Sequence, residues 1–453
     1  MNGPTGCGVR AARLGADQYA ENFSDAHPPL TWAQASIEAE RCYYCYDAPC
    51  ATACPTSIDV PSFIARIAQD NIRGAAKTIL ESNPLGGMCA RVCPTEVLCE
   101  QACVRNTNED KPVEIGALQR YATDRFMAAG GAPLFKRAEP TGKKVAVVGA
   151  GPAGLACAHL LALQGHDVSL LDAKPKLGGL NEYGLASYKT TDDFAQKEID
   201  WLLSVGGIAP RNNQRLGRDF TLDSLLASHD AVFLGLGLGG VNDLGIAEPS
   251  AQGLRNAVDF IADIRQASDK STVPVGRRVV VIGGGMTAVD AAVQARLLGA
   301  EEVSIVYRRG QDAMSASTVE QQWAQTHGVT IRLWEAPQEL LVENGAVSGI
   351  RLASTQQVDG KLQTTGETTV LAADMVLKAI GQSYIAEPAG ARIALKAGRI
   401  ATDEDGQTSL ERVWAGGDCR WGGRDLTVEA VEHGKRAAGA MHRMLMREVG
   451  ISA

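Results

Sequence analysis

Eight of the eleven cysteines in this 453-residue chain fall between positions 42 and 103. The first four, Cys42, Cys45, Cys50 and Cys54, lie in CYYCYDAPCATACP; Cys89, Cys93, Cys99 and Cys103 follow, and Cys54 and Cys93 each precede a proline. Runs of this kind ligate iron–sulfur clusters, with thiolates around each cluster and one cysteine of a run often serving the other cluster. A disulfide framework needs an oxidising compartment, and the opening stretch MNGPTGCGVRAARLGADQYAENF lacks the apolar core of a secretory signal. Structural zinc takes two well-separated ligand pairs, not a C-x2-C-x4-C-x3-C-P run. The cysteines therefore predict two [4Fe-4S] sites.

The rest of the chain is long enough for about three domains. Its net charge of -8 gives no clustered basic surface for nucleic acid. No apolar run is long enough to cross a bilayer, and a reducing cytoplasm is the expected location. Forty-nine glycines, many in GxG-type turns, point to nucleotides.

Residues 1 to about 30 carry no periodic apolar pattern and read as a loosely attached lead-in, with Cys7 a free thiol. From Thr31 the pattern is helical, and Val60-Pro-Ser-Phe-Ile-Ala-Arg-Ile-Ala-Gln repeats apolar residues at helical spacing. Pro61 suits the first turn, where its missing N–H costs nothing. A helix is expected from Glu114 to about Met127, and Gly130 to Gly142 reads as a linker.

Lys143-Lys-Val-Ala-Val-Val-Gly149-Ala-Gly151-Pro-Ala-Gly154 then combines a buried strand, GxGxxG and a helix start. Val168-Ser-Leu-Leu-Asp172 adds a second strand ending in an acid suited to a ribose hydroxyl. The pattern recurs at Arg277-Arg-Val-Val-Val-Ile-Gly283-Gly-Gly285-Met-Thr-Ala288, but its following strand ends in Arg308 and Arg309. Two dinucleotide sites imply a bound flavin and a nicotinamide, since a hydride needs a donor facing an acceptor. Strands at 230–237 and 376–381 read as the crossings between domains. The predicted boundaries are 1–140 for a helical iron–sulfur domain, 141–240 with 373–453 for an FAD domain, and 241–372 for an inserted NAD(P)H domain. The fold class is a helical domain followed by two Rossmann-like α/β domains. Cys157 reads as a buried helix residue and Cys419 as a loop thiol beside the flavin.

Taken with AGGDCRWGGRDLTVEAVEHGKRAA near the end, these strings resemble two-dinucleotide flavoproteins joined to iron–sulfur domains. The chain from about Thr31 is similar to the small subunit of bacterial glutamate synthase. It resembles more closely the N-terminal half of dihydropyrimidine dehydrogenase, which in bacteria is a separate subunit. The resemblance implies crossed ligands: Cys42, Cys45, Cys50 and Cys103 around one cluster, and Cys54, Cys93, Cys99 and Gln119 around the other. Spacing alone would select Cys89 as the eighth ligand. A glutamate is expected at position 119 in the glutamate synthase branch; an amide oxygen adds no charge and should raise the cluster's potential.

The resemblance further implies that FAD contacts Val92, Gly149, Gly151, Pro152, Ala153, Gly154, Asp172, Gly178, Gly179, Leu180, Lys189, Leu216, Gly417, Asp418, Thr427 and Val428. The nicotinamide cofactor would contact Gly283, Gly285, Met286, Thr287, Ala288, Arg308, Arg309, Ala379, Ile380 and Gly381. Met286 departs from the polar residue expected there. The two arginines favour NADPH by charge; NADPH-using relatives carry a further arginine where this chain has Ser315, so NADH is expected. The implied activity is electron input. Hydride passes from NAD(P)H to FAD, then single electrons pass through two clusters to an FMN and iron–sulfur partner subunit that reduces uracil or thymine, in a heterotetramer. No catalytic acid or base is needed on this chain. The alternatives are a glutamate synthase small subunit and a stand-alone NAD(P)H:ferredoxin-type reductase.

Overall fold

Tyr19 and Phe23, four residues apart, turn one face of helix α1 (Ala16–Asn22) into a hydrophobic core beside Phe260, Ile261 and Leu298. The computed structural model describes residues 8–130, 133–390 and 392–450, so Cys7 lies outside the described residues. The lead-in is thus not loose from residue 8 onward: Arg10 exchanges two backbone hydrogen bonds with Val275. Two aromatics over barely two turns are too short a pattern to register as periodic.

The cysteines sit among short helices. Thr31 forms a capping box with Gln34 and opens α2 (Trp32–Glu40). After α3 (Pro49–Ala53), Asp59 caps α4 (Val60–Ala68), with Pro61 in its first turn and Val60, Phe63, Ile64 and Ile67 buried. These pack with Ile79 of α5 (Ile72–Ser82) and with Leu118 and Tyr121 of the longest helix of this region, found below as α8. Truncating one such side chain, for example Ile64→Ala, should cost about 2–5 kcal/mol. Helix α6 (Gly86–Val92) carries Cys89, and α7 (Asn106–Glu109) follows Cys103. Helix α8 (Ile115–Ala128) lies within a residue of its expected span.

Strand β1 (Lys144–Val148) is central to a parallel sheet because both of its edges are paired. Helix α9 (Pro152–Leu163), β2 (Asp167–Leu171), α10 (Leu180–Tyr183), α11 (Phe194–Leu203), β3 (Ile208–Arg211), α12 (Leu222–Ser228) and β4 (Ala231–Leu234) complete the first pass. A short ribbon strand, β5 (Gly240–Val241), leads to β6 (Leu254–Asn256) and α13 (Ala257–Gln266). The second nucleotide fold continues through β7 (Arg278–Ile282), α14 (Met286–Leu297), β8 (Glu302–Tyr307), α15 (Thr318–Thr326) and β9 (Val329–Leu333). An antiparallel sheet of β10 (Glu335–Glu343), β11 (Ala346–Val358) and β12 (Lys361–Ala372) interrupts it before β13 (Met375–Lys378). The chain returns through β14 (Gln382–Ser383), the pair β15 (Leu395–Lys396) and β16 (Arg399–Ile400), β17 (Val413–Ala415) and α16 (Thr427–Gly450).

Two five-stranded parallel sheets result, ordered β17-β4-β1-β2-β3 and β6-β13-β7-β8-β9. The order corrects one boundary. Strand β13 bonds to β6 on one side and β7 on the other, so residues 373–383 belong to the inserted unit and the flavin part resumes at Tyr384, not at 373. A central strand of a parallel sheet needs partners on both edges, and a boundary at 373 would strand it. The inserted unit comprises Gly240–Ser383 with Tyr183–Thr191 and residues 8–26; the other unit unites the cysteine helices with the flavin-type sheet. The predicted 1–140 and 141–240 segments are therefore each interrupted.

Candidate functional site

The loop from Cys42 to Cys50 is held in an unusual path, with Tyr44 and Ala48 both at positive φ, 52° and 33°. That path places Cys42, Cys45 and Cys50 on the wall of one cavity, and Cys103 completes the wall from the other end of the region. Arg105 also lines the cavity; its guanidinium stacks 3.9 Å from the Tyr43 ring centre and donates to the Arg41 carbonyl at 2.5 Å. Burial pushes the Cys42 thiol up and the Cys50 thiol up to about 11. Any cationic centre bound there would have to overcome that resistance by displacing the thiol protons. Among the described residues no three His, Cys, Asp or Glu side chains converge closely enough for a single ion. Cys42, Cys45, Cys50 and Cys103 thus share the wall of one space.

The second group is more buried. Cys93 faces Cys89, whose hydrogen bond with it is the main cause of its raised pKa, with burial next and Cys99 and Cys54 also acting on it. Burial likewise raises Cys99. Cys54, Cys89 and Cys93 pack with Leu98, Leu426 and Val428, so this group abuts the start of α16. Gln119, buried on α8, donates its amide N–H to the Gly86 carbonyl at 2.7 Å. Its amide oxygen is left without a hydrogen bond among the described residues. Cys89 therefore stands in one group with Cys54, Cys93 and Cys99, while Gln119 is tied to Gly86 at the N-terminus of the helix that carries Cys89.

Glu198 was not foreseen. On α11 its carboxylate accepts from the Gly87 N–H at 2.6 Å and from Met88 N–H at 3.2 Å, tying down the N-terminus of α6. Burial drives its pKa up to about 8, against the pull of those N–H groups and of Arg91. The signal was present in FAQKEIDWLL: Glu198 falls four residues from both Phe194 and Leu202, on the buried face of an amphipathic helix.

The first glycine turn is built for close backbone approach. Gly149 has φ +95°, and a Cβ there would meet the Gly235 carbonyl oxygen at 2.2 Å; one at Gly154 would lie 1.8 Å from the Gly149 oxygen. Gly179 lies so near Gly151 that its Cβ would be 2.7 Å from the Gly151 Cα, placing the Gly178-Gly179 loop over the turn that starts α9 at Pro152 and Ala153. Asp172 accepts from Ala150 N–H at 2.6 Å and Lys174 N–H at 2.8 Å, fixing the loop edge. On the opposite side Gly417 and Asp418 form a short turn before α16. The Asp418 carboxyl has no hydrogen bond or ion pair among the described residues, and burial, with Asp425, raises it to about 6. A buried carboxyl without a hydrogen bond among the described residues is suited to accept from hydroxyl groups. Thr427 donates to Asn181, Leu180 is exposed, and Val92 ends α6. Leu216 is a core residue packed with Leu222 and Leu234. Lys189 belongs to the inserted unit, where its amine pairs with Asp290 at 2.9 Å and Glu320 at 2.7 Å. Burial works against that charge, and the two carboxylates more than offset it.

In the inserted unit Gly283 approaches the Ala379 carbonyl so closely that a Cβ would lie 2.1 Å from it. The Ser315 hydroxyl stands 3.1 Å from where a Gly285 Cβ would be. Met286, Thr287 and Ala288 open α14, and Asn242 bonds to the carbonyls of Ile380 and Gly381. Arg308 and Arg309 are exposed, with no ion pair among the described residues. Cys157 and Cys419 are both buried and unbridged.

Residues 19–131 match the family described as dihydropyrimidine dehydrogenase domain II, 4Fe-4S cluster, and residues 143–434 match pyridine nucleotide-disulphide oxidoreductase. The NAD-dependent dihydropyrimidine dehydrogenase subunit PreT of Escherichia coli (strain K12) is 36% identical over 426 residues, covering 94% of this chain and 98% of that protein. The glutamate synthase (NADPH) small chain of the same organism is 33% identical over 449 residues, covering 93% and 94%. Mycobacterium tuberculosis FprA in complex with NADPH superposes with a TM-score of 0.57 at 21% identity, over 69% of this chain and 85% of that one, a likeness of fold.

Proposed function

This chain belongs to the pyridine nucleotide-disulphide oxidoreductase family, carries a 4Fe-4S domain, and from that premise we propose that it is the electron-input subunit of a dihydropyrimidine dehydrogenase. It is an NAD(P)H-dependent flavin and iron–sulfur oxidoreductase. The observation that carries the finer reading is the packing of Cys54, Cys89 and Cys93 against Leu426 and Val428, which flank the first residue of α16 in the flavin motif. Thiols meet the flavin side there, while the first cysteine cavity lies among exposed tyrosines. A bound flavin supplies the conversion of a two-electron hydride into one-electron steps.

The chain's own part is to bind and orient. Gly149, Gly151 and Gly154 leave room for a pyrophosphate at the α9 N-terminus, and Asp172 stiffens that turn. Asp418 is the free acceptor for the hydroxyls of the flavin side chain. The assigned ligands are Cys42, Cys45, Cys50 and Cys103 for one [4Fe-4S] cluster and Cys54, Cys93, Cys99 and Gln119 for the other. With its N–H fixed on Gly86, Gln119 can offer only its oxygen. Lys189, assigned to FAD by resemblance, is held by ion pairs with Asp290 and Glu320. Arg308 and Arg309 hold a nucleotide phosphate, and Ser315 at the glycine turn leaves the NADPH-type cation absent, so NADH is the donor. Replacing it, Ser315→Arg, should shift kcat/KM toward NADPH by about tenfold; an unchanged ratio refutes this assignment.

The partner is an FMN and iron–sulfur subunit that reduces uracil or thymine, joined in a heterotetramer. No second flavin site or barrel fold is evident on this chain's described residues that could take the pyrimidine. Purified chain should oxidise NADH with ferricyanide and leave uracil untouched, and adding the partner should create uracil-dependent NADH oxidation. Dihydrouracil formed by chain free of partner would overturn the division of labour.

A further inference from the structure

Beside the first cysteine site stand large side chains that remain exposed among the described residues. Tyr43, Tyr44 and Tyr46 are 51%, 44% and 106% exposed, and α2, immediately before them, leaves Ile37 66% exposed. Tyr46 is fully exposed, and it stands one residue from Cys45. Soluble surfaces rarely gather large apolar side chains so densely without a partner. Tyr43 itself lines the cavity that Cys42, Cys45, Cys50 and Cys103 share, so the aromatic patch and the thiol cavity are continuous.

The charges around this patch are one-sided. Arg41 is neutralised by Glu38 and Glu109, Arg105 by Glu109, and Lys111 by Glu114. Glu40, Asp47 and Asp110 are exposed, and their carboxylates make no hydrogen bond or ion pair among the described residues. The uncompensated charge beside the tyrosines is therefore acidic. Aromatic anchors within a charged rim are the composition of a protein interface, and the rim sets encounter rate and partner choice.

We infer that Tyr43, Tyr44 and Tyr46, with Glu40, Asp47 and Asp110, form the docking surface for a one-electron acceptor protein whose own redox centre is rimmed by lysine and arginine. This rests on the electron-input reading above and adds where the acceptor seats and what charge it carries. Electrons leave through the wall of the first cysteine cavity, and the tyrosines exclude water from the contact. Aromatic rings within an acidic rim suit a salt-sensitive encounter.

Cytochrome c, a basic one-electron protein, serves as the probe. With the whole protein under anaerobic conditions and saturating NADH, its reduction should fall steeply as ionic strength rises. The double variant Glu40→Lys with Asp47→Lys should lower kcat/KM for cytochrome c by about tenfold or more and flatten the salt dependence. Tyr46→Ser should lower it less and leave the salt slope intact. In all three proteins the iron content and the rate of flavin bleaching by NADH should match, because none of these side chains belongs to the cofactor sites. Unchanged cytochrome c reduction in the charge variant, or no reduction by unmodified protein whose flavin NADH bleaches, would overturn the docking surface. Concentration-dependent self-association lost in Tyr46→Ser would assign the patch to a second copy of the chain and overturn it too. A protein without iron, or without bleaching by NADH, would instead bring down the electron-input reading itself.

Discussion

The two cysteine groups are built alike in sequence and differently in space. The first surrounds a cavity open beside exposed tyrosines, with Arg105 on its wall. The second is enclosed, with Cys93 turned toward Cys89 and with Leu98 and Val428 closing over it. The open group has four thiols and no competitor for any ligand position. The enclosed group has three assigned thiols and two contenders for the fourth place, Cys89 and Gln119. Burial and neighbours, not spacing, separate the two groups.

The sharpest way to break this contrast is to remove a ligand from the open group. Cys103→Ala should lose about half the iron of the protein, one cluster of two, with the flavin retained; full iron content would show that the cavity is not a cluster site. The next test concerns the enclosed group. Gln119→Ala should perturb or remove one cluster while Cys89→Ala leaves both, read as iron per chain and as the electron paramagnetic resonance of the reduced protein. The opposite pattern would give the eighth position to Cys89 and make the two groups chemically equal.

A smaller effect distinguishes how the two groups are anchored. Glu198 ties the α6 N-terminus, which carries Cys89, to the flavin-side helix α11. Its folded pKa of about 8 lies above the ordinary carboxyl value of 4.5, chiefly through burial. Between those values the unfolded chain has released a proton that the folded chain still holds, so stability falls as pH rises through this window. In Glu198→Gln that loss disappears. The thermal midpoint of the unmodified protein, relative to the variant, should fall by several degrees between pH 5 and pH 8. A difference independent of pH would mean that Glu198 is ionised throughout.

Much of this molecule was legible because its signals are local and strict. Gly149 and Gly283 sit at turns where backbone passes within a Cβ's reach of another carbonyl, so the sequence had no substitute to offer. The cysteine spacing and the Thr31 and Pro61 helix starts were readable for the same reason. What escaped depends on distant partners. Strand β13 looks like any apolar strand, and only its hydrogen bonds to β6 and β7 assign it to the inserted unit. Tyr19 and Phe23 reveal their role only beside Phe260 and Leu298. Glu198 needed the α6 N-terminus beside it before a buried carboxylate made sense.

Metal analysis of anaerobically prepared protein tests the central claim most directly. Two [4Fe-4S] sites predict about eight iron and about eight acid-labile sulfide for each FAD. Stoichiometric zinc with little iron and no labile sulfide would contradict the account at its root.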